Sequence, residues 1–418
     1  MHLQILSENE IIITLIALAL LLVGAYIMGT FFEKIKAPRV VGEILGGMIW
    51  GGSCLYLFFP EFIKTIFLAY EQEGKVLNIF YQLGLIFLMF LSGYNTKLEI
   101  DKENRKTIGC IFVGATVLPM IAAIPLAPYF RDYFIGELNN RTAYLMVFVI
   151  GVAITSIPVI SKIFFDMGIM NTRFSNTVLT VSTFQDLCLW IMLNAATRIA
   201  MTGTLDISDM LLVVAFTLGL FAIVKLFSDH ISSIKVRLRA IDFYSVSFVI
   251  LLLVCALLNM VGINTMYAAF LVGYIVKAVV GVDQQTQQRM DSLGDFAFSF
   301  FIPIYFALVG IQLNVVHDFS VGRFFIFFVC AFGLEAAGTL VMLMFTKLNA
   351  RTKINFAVTM NARGGPGIVL ATVAYSYGII SVEFFTVLIL TTMLSSMIAG
   401  YWLRRQQKRD NTIFMNLY

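Results

Sequence analysis

The chain has 418 residues, 59% of them hydrophobic and 13% charged, with a formal net charge of +4 and a mean hydropathy of +0.88. Soluble domains carry about a quarter charged residues, so a large soluble enzyme around one apolar core is excluded. The basic residues sit in short links between apolar runs long enough to cross roughly 30 Å of hydrocarbon, which points to a membrane surface and away from nucleic acid.

Asn9 and Glu10 precede the first apolar run with no basic region before it. Residues 11–29 therefore read as a retained helix and not as a cleaved signal peptide. Continuing along the chain, the apolar runs predict thirteen helices, at about 10–29, 38–58, 76–94, 107–129, 142–166, 174–198, 209–227, 243–260, 262–280, 293–313, 320–346, 354–376 and 382–403. The weakest division lies at Asn259–Asn264, and a count of twelve is its competitor. The second helix contains Glu43 among small residues, which favour close helix contact, and an interfacial or packing position is expected for it. The third ends at Asn95, where it meets a basic link.

The fifth helix is interrupted by Gly151–Pro158 (GVAITSIP), where Pro158 removes a donor and displaces the carbonyl of Ile154. Thr155 and Ser156 at this break offer hydroxyl or carbonyl oxygens suited to a hard cation. The sixth helix carries Asp186 midway, within Leu179–Leu187 (LTVSTFQDL). An ionised carboxylate at that depth costs several kcal/mol, of order 3, unless water or a cation compensates. Such a group can alternate between a proton and a cation, and the bland alternative is a permanently protonated acid used as glue. Ser182 and Thr183 share its face, whereas Gln185 lies about 100° round the helix.

Pro303 and Gly310 predict a bent tenth helix. Glu335 in the eleventh is a second deep carboxylate, either pairing with Arg363 or joining an ion path. The twelfth is opened by Asn361–Gly367 (NARGGPG), with Arg363 in the break. Lys162, one turn past Pro158, is long enough to snorkel inward. The five cysteines form no Cys-x-x-Cys pair, and His2, His230 and His317 lie near ends or in links, so neither a disulfide framework nor a soft-metal site is indicated.

Charge gives an independent check on the helix count. With thirteen spans, 22 basic residues fall on one side of the membrane and six on the other, while Arg363 lies inside a span. Cytoplasmic links are enriched in Lys and Arg, so the N-terminus is expected outside and the C-terminus inside. The chain then reads as one transmembrane transporter domain over 1–418. Residues 10–200 form a first six-helix repeat, 201–242 a connecting helix and loop, 243–403 a second, inverted repeat, and 404–418 a short cytoplasmic tail. Both interruptions fall in the fifth helix of a half, as in transporters whose broken helices meet at mid-membrane.

The segments 38–47, 84–93, 155–158, 184–187, 269–273, 301–310 and 363–364 occur in an order that resembles the monovalent cation:proton antiporters. They look most like the bacterial second branch of that family, which includes sodium/proton exchangers and potassium efflux systems. The resemblance implies a thirteen-helix fold with two crossing discontinuous helices, a homodimer in the bacterial inner membrane, and alternating access. It further implies exchange of Na+ or K+ for H+ without an organic cofactor. Asp186 matches the family's ion-binding aspartate. Gln185 stands where electrogenic members have a second aspartate, which implies electroneutral exchange. Glu335 stands where those members have lysine, and it is a possible second titratable acid. Gly365 and Pro366 replace an acid that follows the Arg-Gly of many relatives, and no nucleotide-binding tail is expected. Three other readings stay open: a cation channel, a carrier of a small organic or anionic substrate bound by Arg363 and Lys162, and a silent scaffold.

Overall fold

The computed structural model describes residues 5–95, 104–170, 172–203, 219, 243–260, 263–280, 284–316, 319–410 and 413–414. Among these residues the secondary structure is helical, apart from one isolated antiparallel bridge between Ile135 and Ile380. Eight helical stretches of at least 18 residues are apolar enough to cross a membrane, accompanied by two shorter apolar helices at Ser247–Met260 and Thr265–Lys277. Among the described residues, helix occupies part of each of the twelve predicted spans other than the seventh. That span, 209–227, and the following loop to 242 lie outside the described residues apart from Gly219.

The chain folds into two compact units, Met1–Leu88 with Asp283–Phe319 and Met89–Val282 with Ser320–Tyr418. The first contains α1 (Glu8–Lys34), α2 (Arg39–Met48), the short α3 (Leu55–Phe58) and α4 (Pro60–Phe67), and the first part of α5 (Glu73–Asn95). Its remaining helices are counted below as α14 (Gln284–Ser299) and α15 (Phe301–Gln312). Small residues let backbones approach here, since a methyl added at Gly42 would strike the carbonyl of Met28 and one at Gly310 that of Ile44. Glu43 is buried, as a packing position requires, and accepts from Arg39 Nε at 2.8 Å. The expected bend in the tenth span falls at Phe300, between α14 and α15. Pro303 has no N–H for the carbonyl of Ser299, four residues back.

The second unit begins with the end of α5. It continues through α6 (Arg105–Phe112), a π-helical turn (Val113–Val117), α7 (Leu118–Ala123), α8 (Ala127–Phe134), α9 (Arg141–Val152), α10 (Ile157–Asp166) and α11 (Arg173–Thr202). After the residues left undescribed come α12 (Phe243–Met260), α13 (Thr265–Val280), α16 (Val321–Leu343), α17 (Ala350–Met360), α18 (Gly365–Ser376) and α19 (Val382–Arg409). Rings of Phe130, Phe134, Phe148, Phe327 and Phe384 cluster, with Phe134 and Phe384 stacked at 4.4 Å. α19 is tied down at both ends. Arg323 forks onto Glu383 at 2.6 and 3.1 Å near its start, and Arg404 reaches Asp166 at 3.2 Å near its finish.

Candidate functional site

The two interrupted helices break where proline withdraws a donor. α9 stops at Val152, and Ser156 caps the restart by accepting from the backbone N–H of Val159 at 3.4 Å. In the other helix, α17 stops at Met360 and α18 restarts at Gly365. Pro366 cannot donate to the carbonyl of Ala362, and that carbonyl instead accepts the backbone N–H of Ser156 at 2.8 Å. The two breaks are therefore joined by a hydrogen bond that exists because each helix gave up its own ladder. Gly364 permits the approach, because a methyl there would collide with Val159 and Ser156.

Side chains fasten the crossing further. Thr155 Oγ1 donates to the carbonyl of Met360 at 2.6 Å and lies 3.2 Å from Glu335 Oε1. Arg363 donates to the carbonyls of Gly151 and Val152 at 3.2 and 2.7 Å, and to Glu335 Oε2 at 3.1 Å. The Arg363 guanidinium thus closes the last carbonyls of α9 while its charge is balanced by a carboxylate from α16, both side chains being at most 1% exposed. Of the two roles open to Glu335 from sequence, the pairing with Arg363 is the one formed here.

α11 lies against α9 and carries four of the predicted residues, of which Gln185 reaches the first break. Gln185 Nε2 donates to the carbonyl of Ala153 at 2.8 Å and approaches that of Ala115 at 3.4 Å. Ala115 lies in the π-helical turn, and Pro119 withdraws the N–H that an unbroken α-helix would aim at it. Asp186 is fully buried, and neither of its carboxylate oxygens accepts a hydrogen bond from a described residue. The buried Ser182 hydroxyl, one turn before it, is likewise unengaged among the described residues. Thr183 is turned back onto its own helix, donating to the carbonyl of Leu179 at 2.9 Å.

Thr155 and Thr183 thus donate their hydroxyl protons to backbone carbonyls and Ser156 Oγ accepts from Val159, whereas the Asp186 oxygens and Ser182 Oγ have no hydrogen-bond partner among the described residues. Lys162 stands apart from this cluster; its side chain is 57% exposed and pairs with Asp166 at 2.9 Å. One residue carries no weight in the sequence yet belongs here. Asn361 closes the end of α17, its Nδ2 donating to the carbonyl of Ala357 at 3.0 Å, and its buried Oδ1 accepts nothing from the described residues. The readable signal for it was an Asn directly between an apolar helix and a Gly/Pro break, a helix-terminating position. Among the described residues no group of three or more His, Cys, Asp or Glu could hold a metal ion, so the free donors here are hard, mostly neutral oxygens.

The family model described as "Sodium/hydrogen exchanger, transmembrane" matches residues 17–406. The Na+/H+ antiporter NhaS4 of Synechocystis sp. is 23% identical over 94% of this chain and 97% of its own length. The Na+/H+-K+ antiporter GerN of Bacillus cereus is 21% identical over 91% of this chain and 93% of its own. Against plant relatives such as cation/H+ antiporter 20 of Arabidopsis thaliana, the chain spans about half the length, 47%. Among solved structures, the sodium proton antiporter MjNhaP1 of Methanocaldococcus jannaschii aligns with a TM-score of 0.57 at 14% identity, covering 96% of this chain and 97% of that one, which shows a shared fold. The family match runs unbroken through both crossed breaks and Asp186, and the chain belongs to the sodium/hydrogen exchanger family, a family of membrane transporters.

Proposed function

We propose that this protein is a secondary antiporter that exchanges a monovalent cation, Na+ or K+, for H+ across a bacterial inner membrane. The observation that carries this reading is Asp186, a fully buried carboxylate whose two oxygens are left without donors where two broken helices cross. A carboxylate taken out of water is stable only with a proton or with a cation at its oxygens. Mutual exclusion of the two is the chemistry of antiport, and alternating exposure of the site to the two sides makes it vectorial.

One cation is exchanged for one proton. Asp186 is the single deep carboxylate at the crossing with both oxygens free. Glu335 is engaged by Arg363 and Thr155 and acts as a fixed counter-ion. The two six-helix repeats are inverted about the connecting segment, and the protein works as a homodimer with its N-terminus outside. Names of relatives support both ions, since NhaS4 is a Na+/H+ antiporter and GerN a Na+/H+-K+ antiporter.

The test uses sealed vesicles with an imposed pH gradient, to which Na+, K+ or Li+ is added in turn. Cation-dependent collapse of the gradient is expected for the parent chain, with Asp186→Asn reduced to the level of protein-free vesicles. Exchange at the parental rate by Asp186→Asn would overturn the assignment.

A further inference from the structure

We propose that Asn361 supplies a neutral oxygen ligand to the transported alkali cation and sets which ion Asp186 accepts. This rests on the antiporter reading and goes beyond it by assigning selectivity to an uncharged residue of the second break.

The position of Asn361 is fixed on both sides. The preceding carbonyl, of Met360, accepts the Thr155 hydroxyl, and the following one, of Ala362, accepts the N–H of Ser156. Its own side chain is anchored by Nδ2 on the carbonyl of Ala357 at 3.0 Å, one of the last-turn carbonyls of α17 that have no N–H ahead of them. That bond also fixes the orientation of the amide, because a flipped Asn361 would set its oxygen against a carbonyl oxygen. Oδ1 is therefore the atom left over. It is buried and accepts no hydrogen bond from the described residues. A buried, unsatisfied acceptor is destabilising and calls for a ligand that compensates it.

The first break carries the matching device. α9 ends at Val152, the carbonyl of the next residue, Ala153, accepts Gln185 Nε2 at 2.8 Å, and Gln185 Oε1 is left over in the same way. At both half-helices that arrive at the crossing by their C-terminal ends, a side-chain amide thus has its nitrogen engaged and its oxygen free, beside the Arg363 guanidinium that closes the last carbonyls of α9. C-terminal helix ends carry partial negative charge, which favours a cation. Asp186 Oδ1 and Oδ2, Ser182 Oγ and the two amide oxygens are all buried without a hydrogen-bond partner among the described residues and are of the hard type an alkali ion takes. The carboxylate supplies the charge. The number and field strength of neutral carbonyl dipoles around it discriminate one alkali ion from another.

The experiment measures cation-driven collapse of a pH gradient in vesicles for Na+, K+ and Li+, with Asn361→Ala, Asn361→Asp and Asp186→Asn beside the parent chain. Asn361→Ala is expected to raise the half-saturating cation concentration at least tenfold and to change the order of preference among the three ions. Asn361→Asp keeps an oxygen for the ion while replacing the donor to Ala357 by a second oxygen that this carbonyl repels, and its half-saturating concentration is expected to stay at or below the parental one. A purely structural anchor would behave oppositely, with Asp as damaging as Ala. That result, or an Asn361→Ala protein within twofold of the parent and with the same ion order, would overturn the proposal. If Asn361→Ala does not fold, Asn361→Asp decides alone. Loss of exchange in Asp186→Asn alongside a normal Asn361→Ala would leave the antiporter reading standing and sink only this assignment. A parent chain on which no alkali ion acts would overturn both.

Discussion

At the residue level, two deep acids occupy opposite situations. Glu335 has Thr155 at one oxygen and Arg363 at the other, while Asp186 has neither a cationic nor a hydroxyl partner among the described residues. Removing one member of a buried ion pair strands a charge and costs about 3–5 kcal/mol, whereas removing both together costs less. Glu335→Gln alone is therefore expected to lower thermal stability in detergent markedly, and Glu335→Gln/Arg363→Gln to recover part of that loss. A double variant as destabilised as the sum of the two single ones would show that the pair is not coupled. The same arrangement predicts that exchange by the parent chain does not depend on membrane voltage, which an imposed potassium diffusion potential checks. Asp186 is legible from its depth in an apolar run. The fate of Glu335 is not, since its partners stand 28 and 180 residues away in the chain and a one-dimensional pattern does not choose between them.

At the level of elements, the crossing is a backbone construction, and its weak point is the space left by Gly364. A methyl at that position meets the Ser156 side chain and Val159, both of which belong to the restart of the other broken helix. Overpacking of this kind costs about 1–3 kcal/mol and separates the two breaks joined by Ser156 N–H and the Ala362 carbonyl. Gly364→Ala is thus expected to lose most exchange while remaining membrane-inserted. A variant with parental rate would show that the crossing tolerates a wider spacing. Prolines and glycines mark both breaks and the bend at Phe300 in the sequence, because each removes a specific donor or side chain. The π-helical turn at Val113–Val117 leaves no such mark beyond Pro119, since it differs from an α-helix by a single residue per turn. Its consequence, a carbonyl of Ala115 within reach of Gln185, is visible only in three dimensions.

At the level of the whole molecule, sidedness follows from parity. The thirteen-span reading places 11 crossings between the link that holds Lys64 and the tail that holds Lys408, so the two lie on opposite sides of the membrane. The structure supplies helix in the ten of those spans other than 209–227, which lies outside the described residues apart from Gly219. Losing that single crossing would put Lys64 and Lys408 on the same side and would scramble the 22-to-six division of basic residues that orients the chain. It would also remove the inversion between the two halves, because an odd number of crossings, here this single one, must lie between two six-helix halves for one repeat to lie upside down relative to the other. Both lysines are exposed enough to be replaced by cysteine for labelling in a background without the five native cysteines. A membrane-impermeant thiol reagent added outside intact cells is expected to modify Lys64→Cys and to leave Lys408→Cys untouched until the membrane is opened. Equal labelling of the two from outside would break the parity, and with it the inverted pairing of broken helices on which a two-sided exchange site depends.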